Sequence, residues 1–546
     1  MNKETFEISG NIVDVVNKKM FPGIIRVKNG SIEKILQASD IDCKNYILPG
    51  LIDSHVHIES SMVVPSEFAR TAVTHGTVAS ISDPHEIANV LGVGGVDFMI
   101  NNGKQVPFKF FFGAPSCVPA TDFETSGAVI NVDDIEKMLL NDDIYYLSEM
   151  MNFPGVINEN EDVMAKLKAA VKNNKTIDGH APGLLGNNAK NYFNKGISTD
   201  HECFTLDEAI EKAALGVKIL IREGSAARNF DNLLPVIKKY PEQVMFCSDD
   251  KHPDELLSGH INELISRAIK SGYDLIDVLR AATLNPCVHY NIPVGMLQPG
   301  DPADFIVVDS PAEMNVLQTY IDGIKVSENK NTLIPSVEVK PVNRFNVSKV
   351  NVKDISVKAD GKRIKVIEVI DGELVTKNKV VDATVNNGQI VSDTAIDILK
   401  IVVLNRYTNS PPAVGFVHNF GLKSGAVAST VAHDSHNIIA VGTSDDFICQ
   451  AVNSLIDVKG GITLNDGNDN FSLPLPVAGL MSTEPVVSVA EKYKLLDTKA
   501  KSLGSKLEAP FMTLSFMALL VIPELKISDK GLFDGNKFEF VSLFVE

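Results

Sequence analysis

His55 and His57 stand two apart at the end of an apolar segment, L-P-G-L-I-D-S-H-V-H-I-E over residues 48–59. In an extended strand alternate side chains share a face, so both imidazoles can reach one cation. Metal-donor residues recur at the ends of later apolar runs: Glu149 in Y-L-S-E-M-M, His180 in T-I-D-G-H-A-P, His201 in S-T-D-H-E and Asp249 in F-C-S-D-D-K-H-P. A lone strand-end histidine is more often a hydrogen-bonded surface residue, and it is four at matching ends that favour a ligand set. A hydrolytic centre uses neutral imidazoles and carboxylates to hold one or two divalent cations while leaving a position for water. His55 and His57 can hold a first ion, His180 and His201 a second, and Glu149 can bridge them. Asp249 can bind metal while accepting the proton of the attacking water. Ions about 3.5–4 Å apart would make that water a hydroxide nucleophile near neutral pH. Asp250 competes with Asp249. Only one of two consecutive strand residues faces the centre, and Asp249 is the preferred one.

These residues need a scaffold that brings many strand ends together. From residue 46 to about 290, short β-rich runs alternate with amphipathic helical stretches. The runs are 47–55, 77–83, 109–114, 145–150, 176–181, 197–202, 217–222 and 244–250. Eight alternations in this length predict an α/β fold, a TIM-like (β/α)8 barrel, whose catalytic groups sit at the C-terminal strand ends. Residues 1–45 read as short strands joined by turns, with Asn29-Gly30 as a hairpin signal. The segment 293–309 leads back into a strand, so 1–45 and 291–345 are expected to form a small composite β-sandwich domain. From 346 to 546 the pattern becomes strands and glycine turns without a second barrel count, which predicts an additional C-terminal α+β domain.

Composition narrows the function. The chain has 546 residues, 44% hydrophobic and 22% charged, with a formal net charge of −18. Such a charge repels a phosphate backbone and points to a small-molecule substrate rather than nucleic acid. Six scattered cysteines without a C-x-x-C pair indicate reduced usage. With no apolar stretch of signal-peptide or bilayer length, the expectation is a cytoplasmic protein that does not enter a membrane.

L-P-G-L-I-D-S-H-V-H-I-E, the later histidines and Asp249 resemble the amidohydrolase superfamily, as do A-A-T-L-N-P (281–286) and the G-x-L-x-P-G-D-x-A-D segment (295–304). Within it, S-D-P-H-E-I-A-N-V (82–90), S-E-M-M-N-F-P-G-V (148–156), D-G-H-A-P and V-A-H-D-S-H-N in the C-terminal stretch resemble the adenine deaminase family over the whole chain. The resemblance implies a metal-dependent hydrolase with two divalent ions, manganese or iron, converting adenine to hypoxanthine and ammonia by a metal-bound hydroxide. A homo-oligomer, a dimer, is expected. Many superfamily members bridge their metals with a carboxylated lysine, yet no lysine lies between Lys137 and Lys166. Glu149 fills that place, as in adenine deaminases. Spacing alone leaves open a cyclic amide hydrolase of the dihydroorotase or hydantoinase type, and a non-catalytic metal-binding relative.

Further polar residues are candidates for substrate contact. His57-Ile58-Glu59 matches the H-x-E of zinc deaminases, but the P-C-x-x-C those enzymes require is missing. Glu59 is instead expected to support the ligands or touch substrate. His85 and Glu86 end the second run and could contact metal or substrate, or satisfy a helix N-terminus. Arg222 and Glu223 follow the seventh run and could read the purine, and Asp250 belongs to the same rim. His433 and His436 are the one close histidine pair outside the barrel. They could bind metal, form a hydrogen-bonded turn, or take an active-site role by closing over the barrel mouth, which is the expected role.

Overall fold

The computed structural model describes residues 5–38, 43–225 and 228–545, and element counts refer to those residues. The chain divides into two compact units: Met1–His85, Asp97–Ser116 and Asn131–Glu338 in one; Glu86–Val96, Cys117–Ile130 and Val339–Glu546 in the other.

The first unit contains eight parallel strands. They are β1 (Leu51–Val56), β2 (Thr77–Ser82), β3 (Lys109–Ala114), β4 (Ile144–Met150), β5 (Thr176–Gly179), β6 (Thr199–Asp200), β7 (Lys218–Arg222) and β8 (Val244–Cys247). Every residue of β1, β2 and β8 is buried, as parallel strands covered on both faces must be. β1 to β5 pair in order as a half-barrel sheet, and β6 to β8 form a second sheet. Single parallel bridges, Ile177 to Ile197 and Val56 to Asp249, join the sheets at both seams. The arrangement is TIM-like, and in such folds the C-terminal strand ends carry the chemistry. Pairing slips between Asp53 and Val56 on β1 and between Leu147 and Met150 on β4. Bulges re-aim side chains, and these two fall at His55 and Glu149.

The strands that flank this body form one continuous eight-stranded sheet. Tyr46–Pro49 pairs with Phe6–Asp14 on one side and with Phe305–Val308 on the other, so the two ends of the unit share a sheet. Ile12, Ile25, Val27, Ile47 and Phe305 form its core. Asn29 and Gly30 both have positive φ, the backbone a tight two-residue hairpin requires.

The second unit is α+β. Its largest sheet has eight strands, all paired antiparallel except Arg363–Val369 with Ala413–His418. The helix Asp445–Asp457, capped by the Ser444 hydroxyl on the Phe447 N–H, packs Ile448, Ala451, Val452 and Leu455 against Val402, Leu404, Ala428 and Ala440. The unit is not the single stretch 346–546 that the shift in composition suggests. Residues 117–130 are held in it by the Thr125 N–H to Asp529 (2.9 Å), by Ser528 Oγ to the Phe123 carbonyl (2.9 Å) and by Phe123 against Phe533. Those partners lie some 400 positions away, beyond the reach of any local pattern. No helix of the described residues is long and apolar enough to cross a membrane, and all six cysteines are free.

Candidate metal centre

β1 delivers two imidazoles with different surroundings. His57 Nδ1 donates to the Asp83 carbonyl at 3.2 Å, which leaves Nε2 as the nitrogen turned toward the acidic groups. This is the orientation that a hydrogen bond behind the ring gives a metal-binding histidine. Nε2 lies 3.2 Å from Asp249 Oδ1 and 3.6 Å from Glu149 Oε1. His55 is fully buried and neither ring nitrogen has a hydrogen-bond partner among the described residues, though Nε2 is 3.6 Å from Asp249 Oδ1. A buried imidazole left in this state is costly unless something else uses its lone pair.

Glu149, at the end of β4, faces both ways. Oε1 lies toward His57 and, at 3.4 Å, His85 Nδ1; Oε2 lies 2.8 Å from His180 Nδ1 and 3.2 Å from His201 Nε2. His180 is set by its backbone: its N–H donates to Tyr192 OH (3.0 Å), which donates to the Met150 carbonyl (2.7 Å), tying the ends of β4 and β5. His201 follows Asp200, a carboxylate anchored by Lys212 at 2.6 Å.

Asp249 lies just beyond β8 with φ +53°. Its N–H donates to the His55 carbonyl (2.9 Å), and its own carbonyl accepts from the His57 N–H (3.3 Å). Strand alternation therefore does not aim this residue; the seam with β1 does. Asp250 turns elsewhere, accepting from Ser60 Oγ at 2.5 Å.

The charges fit cation binding. Burial alone would raise the Glu149 carboxyl, but His201 and His180 hold it well below its ordinary range. Burial would likewise raise Asp249, and the Arg222 guanidinium overcomes this. Burial would lower the His201 imidazole, yet Glu149 pushes it up to about 9. A proton on His201 thus stands where a metal would place charge, and metal binding displaces such protons. Several groups of donors lie within 4.8 Å of one another: His55, His57 and Asp249; His55, Glu149 and His201; His180, His201 and Glu202; His57, Asp83, His85 and Glu149. His55, His57, Glu149, His180, His201 and Asp249 all fall within these groups, so each stands where it could take part in holding a metal ion.

Asp83 and Glu202 were not among the residues singled out from the sequence. Each was marked only by adjacency, Asp83 just after β2 and Glu202 beside His201. Glu202 Oε1 is 3.4 Å from His201 Nε2, and Arg222 grips Glu202 with both Nη atoms. Arg222 is buried between Glu202 and Asp249, a structural place rather than an open rim. Glu223 pairs with Arg267 instead of joining the donors. Glu59 is buried in the turn Ile58–Ser61 directly after β1. His85 joins the donors, its ring 4.6 Å from that of His57. Its neighbour Glu86 belongs to the second unit, where it meets His433 and His436.

Residues 46–326 match the amidohydrolase family, and residues 373–539 match the adenine deaminase C-terminal domain. The chain is 53% identical over 550 residues to an adenine deaminase of Methanosarcina mazei, covering 98% of this chain and 99% of that protein. It is 54% identical over 548 residues to that of Methanosarcina acetivorans, with 98% and 99% covered. Against the adenine deaminase of Salinibacter ruber it is 52% identical over 544 residues, with 99% of each covered. Similarity of this depth over both units, together with the strand-end donor set, places the chain in the adenine deaminase family of amidohydrolases.

Proposed function

We propose that the protein hydrolyses adenine to hypoxanthine and ammonia at a centre for two divalent ions, Mn2+ or Fe2+, held by His55, His57, Glu149, His180, His201 and Asp249. The observation that carries this reading is Glu149, whose two oxygens face different histidines. Membership of the adenine deaminase family supplies the substrate. The bridges at both seams support reading the eight strands as a closed (β/α)8 barrel.

Bound divalent ions supply Lewis acidity and a lowered pKa for water. The protein's own part is proton handling and orientation. Asp249 presents Oδ1 inward while Arg222 retains Oδ2. From there the carboxylate takes a proton from the attacking water and returns it to the amino group leaving C6. His85, beside Glu149, and the buried Glu59 are the residues assigned to purine contact. A net charge of −18 supports a free base over a polyanion.

The test offers protein loaded with Mn2+ or Fe2+ adenine, adenosine, cytosine and dihydroorotate, following ammonia release and ring opening. Adenine is expected to turn over far faster than the others. Turnover of adenosine or dihydroorotate without adenine turnover overturns the reading.

A further inference from the structure

A further set of metal-donor side chains lies within the second unit. Glu86 and His433, 347 positions apart, meet with His433 Nδ1 2.6 Å from Glu86 Oε1, while His436 Nε2 faces Glu86 Oε2. One donor atom from each of the three residues lies within 4.8 Å of the others. The side chains of Glu86, His433 and His436 are 3%, 8% and 1% exposed.

Each ring has further contacts besides Glu86. The ring of Phe516 stacks on His433 at 4.9 Å and 13°. The His436 N–H donates to the Ala432 carbonyl at 2.7 Å, and the residue sits at φ +53°. That turn sets the two imidazoles side by side, 5.6 Å between ring centroids. Two imidazoles and one carboxylate form a donor set that borderline divalent ions favour.

We propose that Glu86, His433 Nδ1 and His436 Nε2 form a further cation site, for a borderline divalent ion such as Zn2+, sharing no ligand with the centre in the first unit. It ties the segment 86–96 to the V-A-H-D-S-H-N turn, as structural metals tie chain segments distant in sequence. The competing arrangement is a closed hydrogen-bonded clamp. The Ala432 N–H lies 3.3 Å from His436 Nδ1, which favours a proton on Nε2 directed at Glu86. Cation binding at Nε2 moves that proton to Nδ1 and gives up this long contact.

The test uses the full-length chain, stripped by chelation, reloaded with Zn2+ and analysed for bound ions. The double variant His433→Gln/His436→Gln is expected to bind one ion fewer than wild type, and His55→Ala/His57→Ala to keep the ion at Glu86. Crystals of the reloaded wild type should show an anomalous zinc peak beside Glu86, His433 and His436. This peak decides the matter alone if the double variant does not fold. An absent peak, or equal ion counts in wild type and a folded double variant, overturns the site in favour of the clamp. The comparison does not depend on whether the protein turns over adenine or on how many ions the first unit takes, so its failure is distinct from failure of the deaminase reading.

Discussion

Arg222 divides the Asp249 carboxylate: Nη1 lies 2.7 Å from Oδ2, while Oδ1 faces His57 Nε2 at 3.2 Å. The same guanidinium holds Glu202, with Nη2 2.9 Å from Oε2. A planar fork can serve two carboxylates at once, which a lysine ammonium cannot do with the same geometry. Arg222→Lys should therefore lower kcat by roughly 10-fold or more through misplacement of Asp249. Arg222→Met should also destabilise the fold by about 3–5 kcal/mol, because two buried carboxylates lose their partner. Steady-state kinetics with thermal unfolding checks both, and an unchanged kcat in Arg222→Lys would show that the fork is not needed.

Glu149→Gln should lower metal occupancy as well as rate. A carboxylate offers a charged oxygen to each side of the centre, whereas an amide offers one neutral oxygen and an NH2 group that cannot ligate. Metal analysis of the purified variant decides this, and full loading would remove Glu149 from the ligand set.

Asp249→Asn should reduce turnover by roughly 10² or more, the scale of losing a positioned base. Asp250→Asn should cost much less, since Asp250 accepts from Ser60 Oγ. A larger loss at Asp250 than at Asp249 would reverse the assignment.

Lys526 gives a pH prediction in the second unit. It is fully buried and donates only to carbonyls, those of Leu374 (2.6 Å) and Phe516 (3.0 Å). Burial pushes its pKa from 10.5 down to about 7. Between these values the unfolded chain binds the extra proton, so stability rises with pH from about 7 to 10.5, and below 7 the folded state carries the full penalty of a buried charge. Lys526→Met should remove this slope and make the protein more stable than wild type near pH 6, by up to a few kcal/mol. Unfolding curves at pH 6 and pH 9 for both proteins check it; parallel pH dependences would show that Lys526 stays charged when folded.

What could be read from sequence was the set of donor types and their order along the chain. Histidines and acids ending successive apolar runs report a repeated local unit, strand then helix, and local periodicity carries that information. The return of 305–308 toward the opening strands was legible because it follows a turn-rich segment, but 46–49, read as the start of the first barrel strand, pairs with 305–308 in the flanking sheet instead. Tertiary structure decided which side chains meet. Asp83 and Glu202 became neighbours of the donors, and Arg222 turned from a rim candidate into a buried tie, because adjacent strand ends were brought together. His85 and Glu86 were parted into different units although adjacent in sequence. Glu86 found His433 across 347 positions. Contacts of that kind depend on bulges, seams and loop paths set by the packing of the whole chain, and no short window of sequence contains them.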